Sequence, residues 1–252
     1  GIEGIRCDSL EEMVIAVAER KIPVLEDPEC QLAMEWRPDV VVDAIIAKKN
    51  LGTTIRDAKI VIGVGPGFTA GADCHCVVET KRGHDLGRVL WKGSAFPNTG
   101  VPGMIGGYAK ERIIRASGDG IFKGMCRIGD LVEKGQLVGM AGENPIYAEI
   151  PGVVRGLLQD GVPVKMGMKS GDIDPRAVVG SCYTVSDKAR AIGGGVLEAI
   201  LTLQIRISRQ ELQGHQRHSR IRAISRAQPR RLTTERFSRC LMAPWQPRKT
   251  LH

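Results

Sequence analysis

Apolar positions change their spacing along this chain, and each change marks where one kind of structure gives way to another. Near the amino end Leu10, Met13, Val14 and Val17 recur at i, i+3, i+4 and i+7, the period of one helix face. Ser9 and Glu12 stand in capping-box register ahead of them, so a short amphipathic helix is predicted. Residues 22–25 form a brief apolar run closed by Pro28 and read as a strand. Residues 40–46 and 59–64 are nearly continuous and β-branched, the pattern of strands covered on both faces. This part reads as α/β with a parallel sheet. From 76 to 115 the chain is punctuated by Gly93, Pro97-Asn98, Gly100, Pro102-Gly103 and Gly106-Gly107, which predicts short strands and many turns. Near the end, Ser186 or Asp187 caps a final helix reaching Leu203. Gly193, Gly194 and Gly195 interrupt it, each costing about 1 kcal/mol against alanine in a helix interior. Such a loss predicts close packing or a bound group at that spot.

Between these parts the sequence repeats itself. Thirty-two residues separate Ala116 from Ala148, Gly120 from Gly152, Gly124 from Gly156, Gly129 from Gly161, Val132 from Val164 and Gly135 from Gly167. Ile121/Val153, Phe122/Val154, Lys123/Arg155 and Met125/Leu157 fall on the same offset. Glycines at turn positions between short apolar runs suit strands joined by tight turns. Units this small cannot bury their own faces and must pack on each other, which predicts a two-fold β-module. The organisation is therefore an α/β domain with a turn-rich β extension over 1–115, the β-module over 116–176, a packing helix over 177–204 and a basic tail over 205–252.

Charge changes the picture only at the end of the chain. The net charge is +8, from 36 Lys and Arg against 28 Asp and Glu. Residues 205–252 hold twelve of those cations against Glu211 and Glu235, which leaves 24 cations and 26 acids elsewhere. The Arg/Ser/Gln/His-rich tail fits an unfolded extension, or a spurious end, better than a nucleic-acid arm. Seven cysteines without a C-x-x-C motif fit reduced thiols in the cytoplasm. No uninterrupted apolar run approaches the roughly 18 residues of a membrane span, and no signal peptide opens the chain.

The candidate chemistry lies in the first domain. The strand over 60–64 runs into Gly65-Pro66-Gly67-Phe68, and a glycine-rich turn after a buried strand lets bare backbone approach a phosphate. Asp43 would sit beside that turn if the two strands are parallel neighbours, followed by Lys48, Lys49 and Asn50. An acid for a ribose hydroxyl with cations for phosphate makes Asp43, Lys48, Lys49, Asn50, Gly65, Gly67, Phe68 and Arg82 the candidate binding set. His75, Glu79 and His84 are the candidates for proton transfer. Cys74-His75-Cys76 lacks the spacing of a structural zinc site, and alternation on a strand turns His75 away from the two thiols, so no metal is assigned.

The repeated segment resembles the biotinyl/lipoyl-like barrel-sandwich fold, through A-x-x-x-G-[IV]-[FV]-[KR]-G and then G-x-x-V-x-x-G in each half. Carrier domains of that fold bear a lysine at the hairpin between the halves. Here the joint reads Gly142-Glu143-Asn144-Pro145, so no swinging arm can attach. Longer blocks resemble a family: VVVDAIIAKKNLGT (40–53), VIGVGPGFTAG (61–71), VETKRGHDLGR (78–88), GSAFPNTGVPGMIGG (93–107) and DKARAIGGGVLEAI (187–200). Together with the β-module they are similar to the selenium-dependent molybdenum hydroxylase system proteins, accessory proteins of selenium-containing xanthine dehydrogenase-type enzymes. The resemblance implies a cytoplasmic maturation factor that helps mature or insert the molybdenum cofactor, with a nucleotide or molybdopterin-type phosphate as ligand. It implies a hydroxylase client and self-association as partners, with neither membrane nor nucleic acid. It also implies a longer amino end, so that the α/β part is a truncated Rossmann-like sheet. Two other roles remain open at this point: a nucleotide- or NAD(P)-dependent enzyme, and a non-catalytic docking protein.

Overall fold

A computed structural model describes residues 3–100 and 102–225, with side chains through 213. The chain divides into two compact units, Gly1–Ile205 and Arg206–His252. The expected helix near the amino end forms as α1 (Leu10–Ala18), between β1 (Gly4–Arg6) and β2 (Ile22–Val24), which pair in parallel. Ser9 Oγ accepts the Glu12 N–H, and Glu12 reaches back to accept the Asp8 N–H at 2.8 Å. The apolar stripe of α1 is not buried: Val14 and Val17 stay exposed, and Ala16 faces inward instead.

After the short α2 (Gln31–Trp36) come β3 (Val40–Asp43), β4 (Ile60–Val64), β5 (Cys76–Val78) and β6 (Val89–Leu90), in that order in one sheet. The first three strands are parallel and β6 is antiparallel. All five residues of β4 are buried, as an apolar run covered on both faces should be. Two expectations need correction here. β3 stops at Asp43 rather than continuing to 46, because the Asp43 carboxylate accepts the Ile45 N–H and the Thr53 hydroxyl and turns the chain aside. The crossovers between β3, β4 and β5 contain no helix, so the parallel sheet lacks the alternating helices of a doubly wound fold.

The β-module carries its repeat into every strand. β7 (Ile113–Arg115), β8 (Gly120–Gly124), β9 (Leu131–Val132) and β10 (Leu137–Ala141) recur as β11 (Asn144–Tyr147), β12 (Gly152–Leu157), β13 (Pro163–Val164) and β14 (Lys169–Asp174). The halves do not stand side by side but exchange strands. One sheet has the order β11-β10-β8-β13 and the other β7-β14-β12-β9, so each draws strands from both halves. Hydrogen bonds obey the same symmetry: Gly135 N–H donates to Ala148 O and Gly167 N–H to Ala116 O, both at 2.8 Å. Phe122, Val138, Val154 and Ile173 from the two sheets meet in one core.

A 3₁₀ turn (Val179–Cys182) leads into α3 (Asp187–Ser225). That helix was expected to end at Leu203, and it runs through part of the region expected to be an unfolded tail. The rest of the tail, 226–252, lies outside the described residues. The glycine triplet is explained at one position: a Cβ on Gly195 would lie 2.0 Å from the Gly87 carbonyl, while Gly193 and Gly194 face open space. Within Val179–Gln213 the helix is long and apolar enough to cross a bilayer by length and composition, at mean hydropathy 1.3. Glu198 and Arg206 interrupt the stretch, so no unbroken apolar run marks it in the sequence. Ala199 and Leu203 are buried against the body, so at least part of its apolar character serves packing.

Candidate functional site

The glycine-rich turn after β4 is filled by the protein itself. β3 and β4 are parallel, with Asp43 opposite Gly63, so Asp43 does reach the expected neighbourhood. Phe68, however, is buried, and a Cβ on Gly63 would strike its ring. A Cβ on Gly67 would lie 2.7 Å from the Lys49 backbone, and one on Gly65 would meet Thr80 Oγ1 at 2.9 Å. These glycines let other parts of the chain pack closely against the turn. Asn50 is occupied as a loop cap, accepting the Gly52 and Thr53 N–H groups. Lys49 is exposed on that loop.

His75 is also committed to the backbone. Its Nδ1 accepts the Val61 N–H at 2.9 Å, while the His75 backbone N–H donates to Val61 O. Cys74 packs with Val61, Phe68 and Val77, and burial pushes its thiol above the ordinary range. Cys74 and Cys76 are both fully buried. Among the described residues no three His, Cys, Asp or Glu side chains converge as a metal site.

Glu79, 1% exposed, has a different task from the proton transfer expected of it. One carboxylate oxygen accepts the Thr80 and Lys81 N–H groups, both at 2.7 Å, and the other accepts the Phe96 N–H at 2.8 Å. A buried carboxylate satisfied by three backbone donors fixes two loops relative to each other. Those loops form one wall of a cleft.

That cleft, of about 800 Å³, lies between the α/β body and the β-module and is within the size range of small-molecule sites. Lys48, Lys81, Arg82 and Lys188 line it from the body side. Arg112, Arg115, Arg155 and Lys169 line it from the module, with Asp172 as the one lining carboxylate. Eight of the 24 cations in residues 1–204 thus converge on one concavity, although that part of the chain carries slightly more acids than bases.

Three of the eight are paired with a carboxylate, Arg155 sharing Asp174 with Arg176. Arg82 forks onto Asp187 at 2.6 and 3.3 Å, Arg112 pairs with Asp172 at 2.5 Å, and Arg155 with Asp174 at 3.0 Å. Lys81 lies 4.5 Å from the Phe96 ring centre, a cation–π contact. Lys48, Lys81, Arg115, Lys169 and Lys188 have no carboxylate partner among the described residues. The crowding registers on Lys188: burial first, then the nearby Arg82 and Lys48 cations, pull its ammonium below the usual lysine range, with Glu79 and Asp187 opposing. On the same rim the Arg82 hydrogen bond holds Asp187 down at about 2. An anion seated here would relieve that repulsion.

Of the residues expected to act together, Lys48 and Arg82 enter the cleft. His84 lines a smaller recess beside it, with Lys81, Arg82 and Phe96. Asp43, Lys49, Asn50, Gly65, Gly67, Phe68 and His75 do not line it, and Pro66 is the part of the glycine-rich turn that does. The module cations, Lys81 and Lys188 were missed by sequence reasoning, since nothing local marks residues spread from 81 to 188 as neighbours.

No family model matches the chain. Over 182 residues, 72% of its length, it is 54% identical to the uncharacterized protein YqeB of Escherichia coli (strain K12). The chain spans about a third (34%) of that protein. Among solved structures, an aspartoacylase family protein of Mesorhizobium loti is 21% identical over 33% of this chain and 27% of that one, with a TM-score of 0.24. The ectoine utilization protein EutE (DoeB) of Ruegeria pomeroyi is 19% identical over the same shares, with a TM-score of 0.20. Likenesses of that size carry no argument about fold or activity.

Proposed function

We propose that this chain is the ligand-binding part of an accessory protein that matures a selenium-dependent molybdenum hydroxylase, and that its ligand is phosphate-bearing. A nucleotide and a molybdopterin-type phosphate are the two candidates. The observation that carries the ligand class is the cleft, where five cations without carboxylate partners face one concavity. The maturation role rests on the resemblance of the long sequence blocks to the hydroxylase accessory family. In this reading the β-module is a lipoyl-like barrel sandwich that has lost its attachment lysine and serves as a rigid wall. The protein works in the cytoplasm beside its client.

A thermal-shift screen of nucleotides and pterin phosphates, with mass spectrometry of what co-purifies, tests the reading. At a hundredfold excess over Kd, a ligand specific for the folded state stabilises it by about 2.7 kcal/mol. A phosphate-bearing compound that shifts the melt is the expected result. If neither class shifts it and nothing anionic co-purifies, the reading fails and a docking role without a small ligand takes its place.

A further inference from the structure

The β-module is built twice from one pattern, so its two sheets are a controlled comparison within one molecule. The backbone requirements of a strand position on one sheet recur thirty-two residues away on the other, while the surroundings of the two faces differ. The sheet β7-β14-β12-β9 presents Arg115, Arg155 and Lys169 to the cleft, braced by Asp172 and Asp174. At the equivalent positions of the sheet β11-β10-β8-β13 stand Tyr147, Lys123, Leu137, Met140 and Gly142. The second sheet forms with that different set. The charges are therefore an addition to one face of a symmetric scaffold, and that face is the one lining the cleft.

Resting on the reading that the cleft takes a phosphate-bearing ligand, we infer that it takes a small molecule with two separate anionic groups. One is held by Lys48, Lys81 and Lys188 on the body wall, the other by Arg115 and Lys169 on the module wall. A single phosphate could neutralise one wall and would leave the other repelling across the cleft. The paired cations have a different task. Arg82, Arg112 and Arg155, each tied to a carboxylate, shape the rim. Lys81 stacks on Phe96, whose N–H is pinned by Glu79, so the body wall is pre-organised. Arg115 donates to the Gly167 carbonyl through one guanidinium nitrogen, which orients the group and leaves further donors for an oxyanion. Pre-organisation of this kind lowers the ordering cost of binding.

Titration calorimetry of the whole chain with inorganic phosphate and with fructose 1,6-bisphosphate, chemically simple one- and two-anion probes, tests the inference. The bisphosphate should bind about tenfold more tightly or better, the effect of one added set of charge-assisted contacts. The double variant Arg115→Ala with Lys169→Ala should remove that advantage, so that the two probes bind about equally. Lys48→Ala with Lys188→Ala should weaken both probes. Lys123→Ala, the symmetry mate of Arg155 on the far sheet, should change neither. These side chains are exposed or half-buried, and circular dichroism melts check that each variant folds. If the module-wall variant binds the bisphosphate as tightly as the parent does, the two-anion inference falls while the phosphate reading stands. If the parent binds neither probe, both fall.

Discussion

The β-module and the α/β body hold their shapes by opposite means. In the module the backbone does most of the work, and does it twice: positive-φ glycines recur in pairs, Gly120 with Gly152, Gly129 with Gly161, Gly135 with Gly167. The body has no such redundancy. Its loops are fixed by single contacts, the Glu79 carboxylate between two loops, the Lys49 backbone against Gly67, and Gly195 against the Gly87 carbonyl. A repeated scaffold tolerates decoration on one face, which is where the module acquired its cations. A singly braced loop can be placed to suit one ligand, and is correspondingly easy to break.

The largest test of that contrast is Glu79→Gln. Glutamine offers one acceptor oxygen where three backbone donors converge, and its amide N–H₂ faces an N–H. Denaturant unfolding should show a loss of about 3 kcal/mol. A change under 0.5 kcal/mol, the usual size of a neutral surface substitution, would refute the brace.

A smaller effect separates the charged sheet of the module by pH. Asp174 is 3% exposed, and Arg176, assisted by Arg155, holds its carboxyl down at about 2 from an ordinary 3.8. A folded-state pKa lowered in this way stabilises the protein above the unfolded value near 3.8, and the contribution disappears as pH falls through about 2. Its full size is about 2 kcal/mol. The stability gap between the parent and Asp174→Asn should therefore be widest at neutral pH and narrow steadily below pH 4. A gap independent of pH would show that the ion pairs contribute nothing.

The smallest test addresses symmetry directly. Gly135 and Gly167 have φ of 85° and 80°, and a Cβ on either would meet nothing within 4 Å. Alanine at each should cost only the left-handed backbone penalty, about 1 kcal/mol, and the same at both sites. Costs that differ by much more would mean that the halves, alike in backbone, are not alike in energy.

Legibility followed the same division. Strand boundaries in the module could be read from glycine spacing because each glycine answers a local demand of the backbone. The parallel placement of Asp43 beside the turn after β4 was legible for a similar reason, since two adjacent buried runs have few ways to pair. The function suggested for that turn was not legible. A glycine admits whatever comes close, and sequence cannot say whether that is a phosphate or the backbone of Lys49. His75 and Glu79 were read as proton-transfer groups because their chemistry is visible in the sequence. Their partners, the Val61 and Phe96 N–H groups, are fourteen and seventeen residues away. The end of α3 was misjudged because the loss of apolar periodicity after Leu203 signals loss of burial, not loss of helix.

The sequence by itself determined the duplicated module, the lysine-free joint Gly142-Glu143-Asn144-Pro145 between its halves and the apolar runs that become buried strands. Each of these depends on residues close together in the chain. Only the tertiary structure decided that Lys48, Lys81, Arg115, Lys169 and Lys188 face one another. Electrostatic energy depends on separation in space, and the segments that carry these charges meet only when the body and the module pack together.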